Sequence, residues 1–158
     1  MTEAEPKTRR GFLVAAATTA GALAMGDGHR AEAHEAISIN AMGPTPEQMQ
    51  AFLALPEEPI VMVNLLKFKP DGGAEAYGRY AQAVGPFLQK VGAKSLFAGR
   101  AATCLIGNGD WDMIALVEYP KPQALLDMAT SEEYQAIHHH REEGLVGQVN
   151  YAVVQRGF

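Results

Sequence analysis

Residues 60–69 read IVMVNLLKFK, and the distribution of apolar side chains along them decides the fold. The run is rich in β-branched residues and is stopped by Pro70 and the Gly72-Gly73 pair, which predicts a strand. A strand in an antiparallel sheet with one wet face alternates apolar and polar residues. Here both alternating sets are apolar: Val61, Val63 and Leu65 in one, Ile60, Met62 and Leu66 in the other. Residues 113–117, MIALV, repeat the pattern. The strands are therefore expected to be covered on both faces.

Working outward, residues 74–92, AEAYGRYAQAVGPFLQKVG, carry Tyr77, Tyr80, Ala81, Val84, Phe87, Leu88 and Val91 at steps of three and four. That spacing predicts an amphipathic helix, kinked at Pro86 and ended by Gly92. KSLFAGRAATCLIG and WDMIALVEY read as two strands joined by the turn Gly107–Asp110. KPQALLDMA and SEEYQAIHHHREEG read as helical pieces, and QVNYAVVQ as a closing strand. The order β-α-β-β-α-β is the ferredoxin-like α+β arrangement, a four-stranded antiparallel sheet with both helices on one face. An extra short N-terminal helix is predicted in PTPEQMQAFLALPEEP, capped by Thr45 with Pro46 in its first turn. It is long enough to cover only part of the sheet's second face. A second copy of the same sheet is the economical cover, so a homodimer is expected.

At 158 residues with 47% hydrophobic and 20% charged content, the chain allows one ordinary globular domain. A net charge of -5 without clustered Lys and Arg argues against nucleic acid as a partner and leaves a small molecule or a protein. The lone cysteine, Cys104, sits in an apolar strand pattern, where a small core residue is expected rather than a nucleophile. No Ser-His-Asp signature, phosphate-cradling glycine loop, CxxC or HExxH spacing occurs, which sets those enzyme and metal classes aside.

The N-terminus carries the most specific signal. KTRRGFLVAAATTAGALA places Arg9 and Arg10 before a run of small, weakly apolar residues, Gly11–Ala24, the pattern of a twin-arginine export signal. The run falls short of the roughly 20 apolar residues of a stable membrane span, and Thr18, Thr19 and Gly21 break any core-helix stripe. Cleavage sites are available at Ala22–Ala24 and Ala31–Ala33, the second preferred. The expected organisation is an export signal and linker over 1–36, an extension with the short helix over 37–58, and the sheet domain over 59–158. The expected destination is the periplasm, or more broadly an extracytoplasmic space, reached through the twin-arginine machinery.

The blocks VNLLKFK, AEAYGRYAQAVGPFL, FAGRA, GDWDMIALVEYP and SEEYQ with Arg141 together resemble the family labelled domain of unknown function 1330, from about Pro59 to the C-terminus. The resemblance implies a dimeric α+β barrel, the same dimer that the two-sided strands suggest, and no established reaction or cofactor. Relatives in the wider barrel group include cofactor-independent monooxygenases and haem-degrading oxygenases, some of which place an asparagine, a tryptophan and a histidine around the cleft. Asn64, Trp111 and His138 are the matching types here, although the spacing from Trp111 to His138 is longer than that group leads one to expect.

The candidate catalytic residues are thus His138, Arg141 and Asn64, and the candidate ligand-binding residues Arg100, Trp111, Glu118 and Tyr80. Each has a structural reading too. Asn64 interrupts an apolar strand, where a buried amide must find partners. Arg100 either holds a carboxylate or pairs with Glu118. Trp111 suits a packing anchor. The run His138–His140 cannot grip one ion from one chain, because successive helical residues point about 100° apart; no metal site is expected. The stripe through Tyr134 and Ile137 carries His138 and Arg141 towards the sheet, with Glu118 as a possible partner, and leaves His139 and His140 nearer solvent. Three functions remain open: a protein binding a small anionic or phenolic molecule in the barrel cleft, which is preferred; an oxygenase-like enzyme; and a structural dimeric scaffold. Replacing Arg9 and Arg10 together by Lys is expected to hold the protein in the cytoplasm, as read by cell fractionation. Export at the wild-type level would contradict the twin-arginine reading.

Overall fold

The computed structural model describes residues 37–39 and 42–155; the proposed export segment and linker lie outside the described residues. Thr45 caps the first helix, α1 (Pro46–Leu53), by a reciprocal pair of bonds. Its hydroxyl accepts from the Gln48 N–H at 3.2 Å, and the Gln48 side-chain oxygen accepts from the Thr45 N–H at 2.9 Å. The remaining elements are β1 (Ile60–Phe68), α2 (Gly73–Ala83), α3 (Gly85–Lys90), β2 (Lys94–Arg100), β3 (Met113–Tyr119), α4 (Pro122–Ala129), α5 (Glu132–Gly144) and β4 (Leu145–Val154).

All strand pairs are antiparallel and the spatial order is β2-β3-β1-β4, the ferredoxin-like arrangement. The register sorts the two apolar sets of β1. Ile60, Met62, Asn64 and Leu66 lie opposite Tyr119, Val117, Ala115 and Met113 of β3. They also lie opposite Val154, Ala152, Asn150 and Gln148 of β4. This is the face under the helices: Ile60 and Leu66 are fully buried, and Tyr77, Tyr80, Met128 and Tyr134 of the helices join them in one core. The other set, Val61, Val63 and Leu65 with Ile114, Leu116, Val149, Tyr151 and Val153, occupies the opposite face. Tyr151 and Val153 there, and Phe97 of β2, are exposed.

Four expectations change. The predicted kinked helix is two helices meeting at Val84, with Pro86 in the first turn of α3, where proline's missing N–H costs no bond. Helix α1 contacts α4 and seats Phe52 against the core, so it covers none of the open face. Strand β2 ends at Arg100, the last residue with a partner in β3, and 101–112 form a long loop rather than a tight hairpin. The loop is closed at its base by the Ala101 N–H donating to the Asp112 carbonyl at 3.0 Å. Cys104 is consequently exposed, not a core residue, because no strand lies opposite it to bury it.

The geometry that sets up the site is the crossing of α2 and α5. A Cβ at Gly144 would stand 2.8 Å from the Gly73 carbonyl oxygen and 2.8 Å from the Tyr77 nitrogen; one at Gly73 would stand 2.7 Å from the Gly144 oxygen. Only glycine at both positions lets the backbones meet. The Lys69 N–H also donates to the Gly144 carbonyl at 2.9 Å, tying the end of α5 to the chain leaving β1. One turn back along α5 from Gly144, Arg141 is thereby set over the tyrosines of α2.

Candidate functional site

Tyr77 and Tyr80, one turn apart on α2, present their rings to α5, and Arg141 lies across both. Its guanidinium carbon is 5.6 Å from the Tyr77 ring centroid and 5.4 Å from that of Tyr80, within cation–π range. One terminal nitrogen donates to the Tyr77 hydroxyl at 3.2 Å and the other to the Gln148 side-chain oxygen on β4. Gln148 in turn donates to the Met42 carbonyl at 3.3 Å, so the segment before α1 closes the site. Tyr134 of α5 shares a hydrogen bond of 2.9 Å with Tyr80, and its ring stands edge-on to those of Tyr80 and Phe87.

Arg141 is 8% exposed, and no carboxylate among the described residues pairs with it. Its partners are a phenol, an amide and two π-faces, all neutral. Burial of an ion costs several kcal/mol even after relaxation. Two charge-assisted hydrogen bonds at roughly 1.5 to 3 kcal/mol each and two desolvated cation–π contacts at up to about 2 each are of the size needed to hold it. The charge is tolerated without being neutralised. Burial works to lower the guanidinium's pKa, yet the balance lies above its ordinary value, and a guanidinium stays protonated at any pH at which the protein is folded.

The same burial pushes the pKa of Tyr77, Tyr80, Tyr119 and Tyr134 up, with Arg141 opposing it. These four are neutral phenols at physiological pH. The cluster is thus a cation ringed by hydroxyls and an amide, which is anion-binding chemistry. His138 lies at its margin, ring centroid 5.6 Å from that of Tyr134 and Nδ1 3.6 Å from Glu142. Burial lowers its pKa, Glu142 opposing, which favours the neutral imidazole.

Of the residues singled out in the sequence, Arg141 and Tyr80 come together, with His138 adjoining. Asn64 lies on the helix side of β1, but its amide nitrogen donates to the backbone carbonyls of Met62 and Ala115, each at 3.2 Å, a structural use. Among the described residues no hydrogen bond or ring contact joins Asn64, Trp111 and His138. Trp111 sits in the loop entering β3, its ring against Gly109. Glu118 pairs with Lys94 at 3.6 Å on the face away from the helices, so it partners neither His138 nor Arg141. It does not reach Arg100 either: Arg100 is opposite Met113, Glu118 opposite Lys94, at the two ends of the β2–β3 ladder. Arg100 instead lines an open groove of about 700 Å³ with Lys67, Lys69 and Asp112. A smaller groove of about 360 Å³ lies between Phe87 and Met128; neither reaches Arg141. The expected contrast between His138 and its neighbours is also incomplete. His139 is exposed, but the His140 side chain, 28% exposed, is as covered as that of His138 at 26%.

Sequence reasoning placed Tyr77 and Tyr134 in the apolar stripes without assigning them a role, and it passed over Gln148 and Met42. A polar Gln148 opposite the wholly apolar Leu66 is the signal that a register would have supplied.

The family described as Domain of unknown function (DUF1330) matches residues 72–155. The solved structure of RPA0582, a protein of unknown function from Rhodopseudomonas palustris, is 30% identical with a TM-score of 0.66 over 73% of this chain and 96% of that one. Two more distant structures show the fold alone. An uncharacterised NIPSNAP domain protein from Burkholderia xenovorans has 12% identity, TM-score 0.50, 63% of this chain and 96% of that one. The protein At3g17210 from Arabidopsis thaliana has 10% identity, TM-score 0.53, 63% of this chain and 97% of that one. No curated protein matches the chain. No helix among the described residues is long and apolar enough to cross a membrane.

The four raised phenols carry a stability consequence. Above about pH 10 an unfolded chain ionises its tyrosines while the folded chain keeps these four protonated, so their contribution is present below that pH and is lost as pH rises through their folded values. An absorbance titration is expected to show them ionising late and together with loss of circular dichroism. Ionisation of every tyrosine near pH 10 with the fold intact would contradict their burial.

Proposed function

Because the chain belongs to the Domain of unknown function (DUF1330) family, which brings a fold and no reaction, we propose its function from the site: it binds a small anionic or phenolic organic molecule at Arg141. The observation that carries this is the buried guanidinium with only neutral partners among the described residues. A carboxylate or phenolate supplies the missing charge, and its ring stacks among those of Tyr77, Tyr80 and Tyr134. Entry is from the side of Met42, where the Gln148 to Met42 hydrogen bond gives way to the ligand. The oxygenase reading has less support, because the Asn64 amide nitrogen is engaged by backbone carbonyls and Trp111 does not join the cluster. Export by the twin-arginine route, with a periplasmic location, belongs to the same proposal and rests on Arg9, Arg10 and the run after them.

The test is a calorimetric titration with benzoate, salicylate and phenol. Wild-type protein is expected to bind at least one of them, with the anions favoured. Arg141→Met, which replaces a buried charge with an apolar side chain of similar length, is expected to fold and to lose at least about tenfold in affinity, the equivalent of one charge-assisted bond. Equal binding by both proteins, or none by wild type, would sink the reading.

The apolar open face supports a homodimer built sheet to sheet. Val63→Asp or Ile114→Asp, on that face, is expected to give a folded monomer by sedimentation. Met62→Asp or Met113→Asp, on the helix side, is expected to damage folding itself. A wild-type chain that sediments as a monomer at micromolar concentration would contradict the dimer.

A further inference from the structure

We propose that His139, His140 and Glu143, on the outer side of α5, bind a divalent transition-metal ion of the zinc class. The ligand atoms of the three residues lie within 4.8 Å of one another. His140 Nδ1 is 3.3 Å from the Glu143 carboxylate, close to the roughly 3.3 Å that separates two ligands bound tetrahedrally at about 2.0 to 2.1 Å. A small rotation of the His139 ring completes the set.

The geometry differs from what the run His138–His140 suggests in sequence. Three successive histidines diverge around a helix. Two neighbours, however, can lean together, and the ring centroids of His139 and His140 are 3.9 Å apart. His139 is exposed and free to turn to water; a simple His140–Glu143 pair would not need it. The carboxylate comes from the next turn, where residues three and four apart share a face. His138 lies apart, against Tyr134 and Glu142.

The surroundings suit a metal. Arg79 of α2 approaches the Glu143 carboxylate at 3.7 Å, an outer partner that orients a ligand. Glu143 is a surface carboxylate, ionised at neutral pH as an ordinary glutamate is, so it offers an anionic oxygen to the ion. Two imidazoles and one carboxylate match zinc, with copper and nickel binding through the same donors, and they leave a position for water.

The experiment uses the full chain without an affinity tag and with His29→Ala and His34→Ala, so that His138, His139 and His140 are the only histidines left. Zn²⁺ is titrated by calorimetry. One ion per chain is expected, with His139→Ala, His140→Ala and Glu143→Gln each weakening binding about tenfold or more and His138→Ala leaving it unchanged. Circular dichroism confirms that α5 persists in each variant. Absence of binding, binding unaffected by His139→Ala, or an equal loss with His138→Ala would overturn the site. None of these outcomes bears on Arg141, so failure here leaves the anion site standing.

Discussion

Among the described residues, a buried cation without a counter-ion lies between the helices and the sheet. Arg141 is held between α2, α5 and β4 by the Tyr77 hydroxyl, the Gln148 amide and the faces of two tyrosine rings. Much of the local architecture serves that placement. Gly73 and Gly144 allow α2 and α5 to meet, which brings the guanidinium down onto the rings. Burial of Tyr77, Tyr80, Tyr119 and Tyr134 keeps them as neutral phenols. A hydrophobic side chain of the same volume would often be no less stable in such a position, and the proposed anion site rests on that charge.

The sheet divides the chemistry. Its helix side holds the aromatic core and the cation; its other side is an apolar surface of Val63, Leu65, Ile114 and Leu116, with Tyr151 and Val153 exposed. Pairing two such surfaces would bury the apolar face of each and leave the Arg141 cluster on the helix side of its own sheet. On the proposed reading, dimerisation and ligand binding would draw on separate residues, so a substitution in one face need not disturb the other.

The strands' two-sided apolar character was legible in Ile60–Leu66, and so was the ferredoxin-like order, because each rests on local periodicity and on turn residues. The cap at Thr45 was legible for the same reason. Arg141 emerged as a candidate because it lies on an apolar helical stripe where a charged group stands out; Tyr80 was read as part of the apolar stripe of α2 and named as a ligand contact without such a signal. What failed was whatever depended on contacts distant in sequence. Cys104 read as core because its apolar neighbours imply a strand, yet the partner strand starts at Met113 and leaves it exposed. Glu118 read as a partner for Arg141, Arg100 or His138, but strand parity turns it to the opposite face, towards Lys94. Gln148 was missed because its meaning comes from lying opposite Leu66, a matter of register rather than of local pattern.

The most direct test of the anion site is a crystal structure of the protein with salicylate bound. The expected result is a carboxylate oxygen within hydrogen-bonding distance of the Arg141 guanidinium, its ring among Tyr77, Tyr80 and Tyr134, and the Gln148 to Met42 hydrogen bond broken. Salicylate seated instead in the groove of Lys67, Lys69 and Arg100, with Arg141, Tyr77 and Gln148 joined as before, would contradict it.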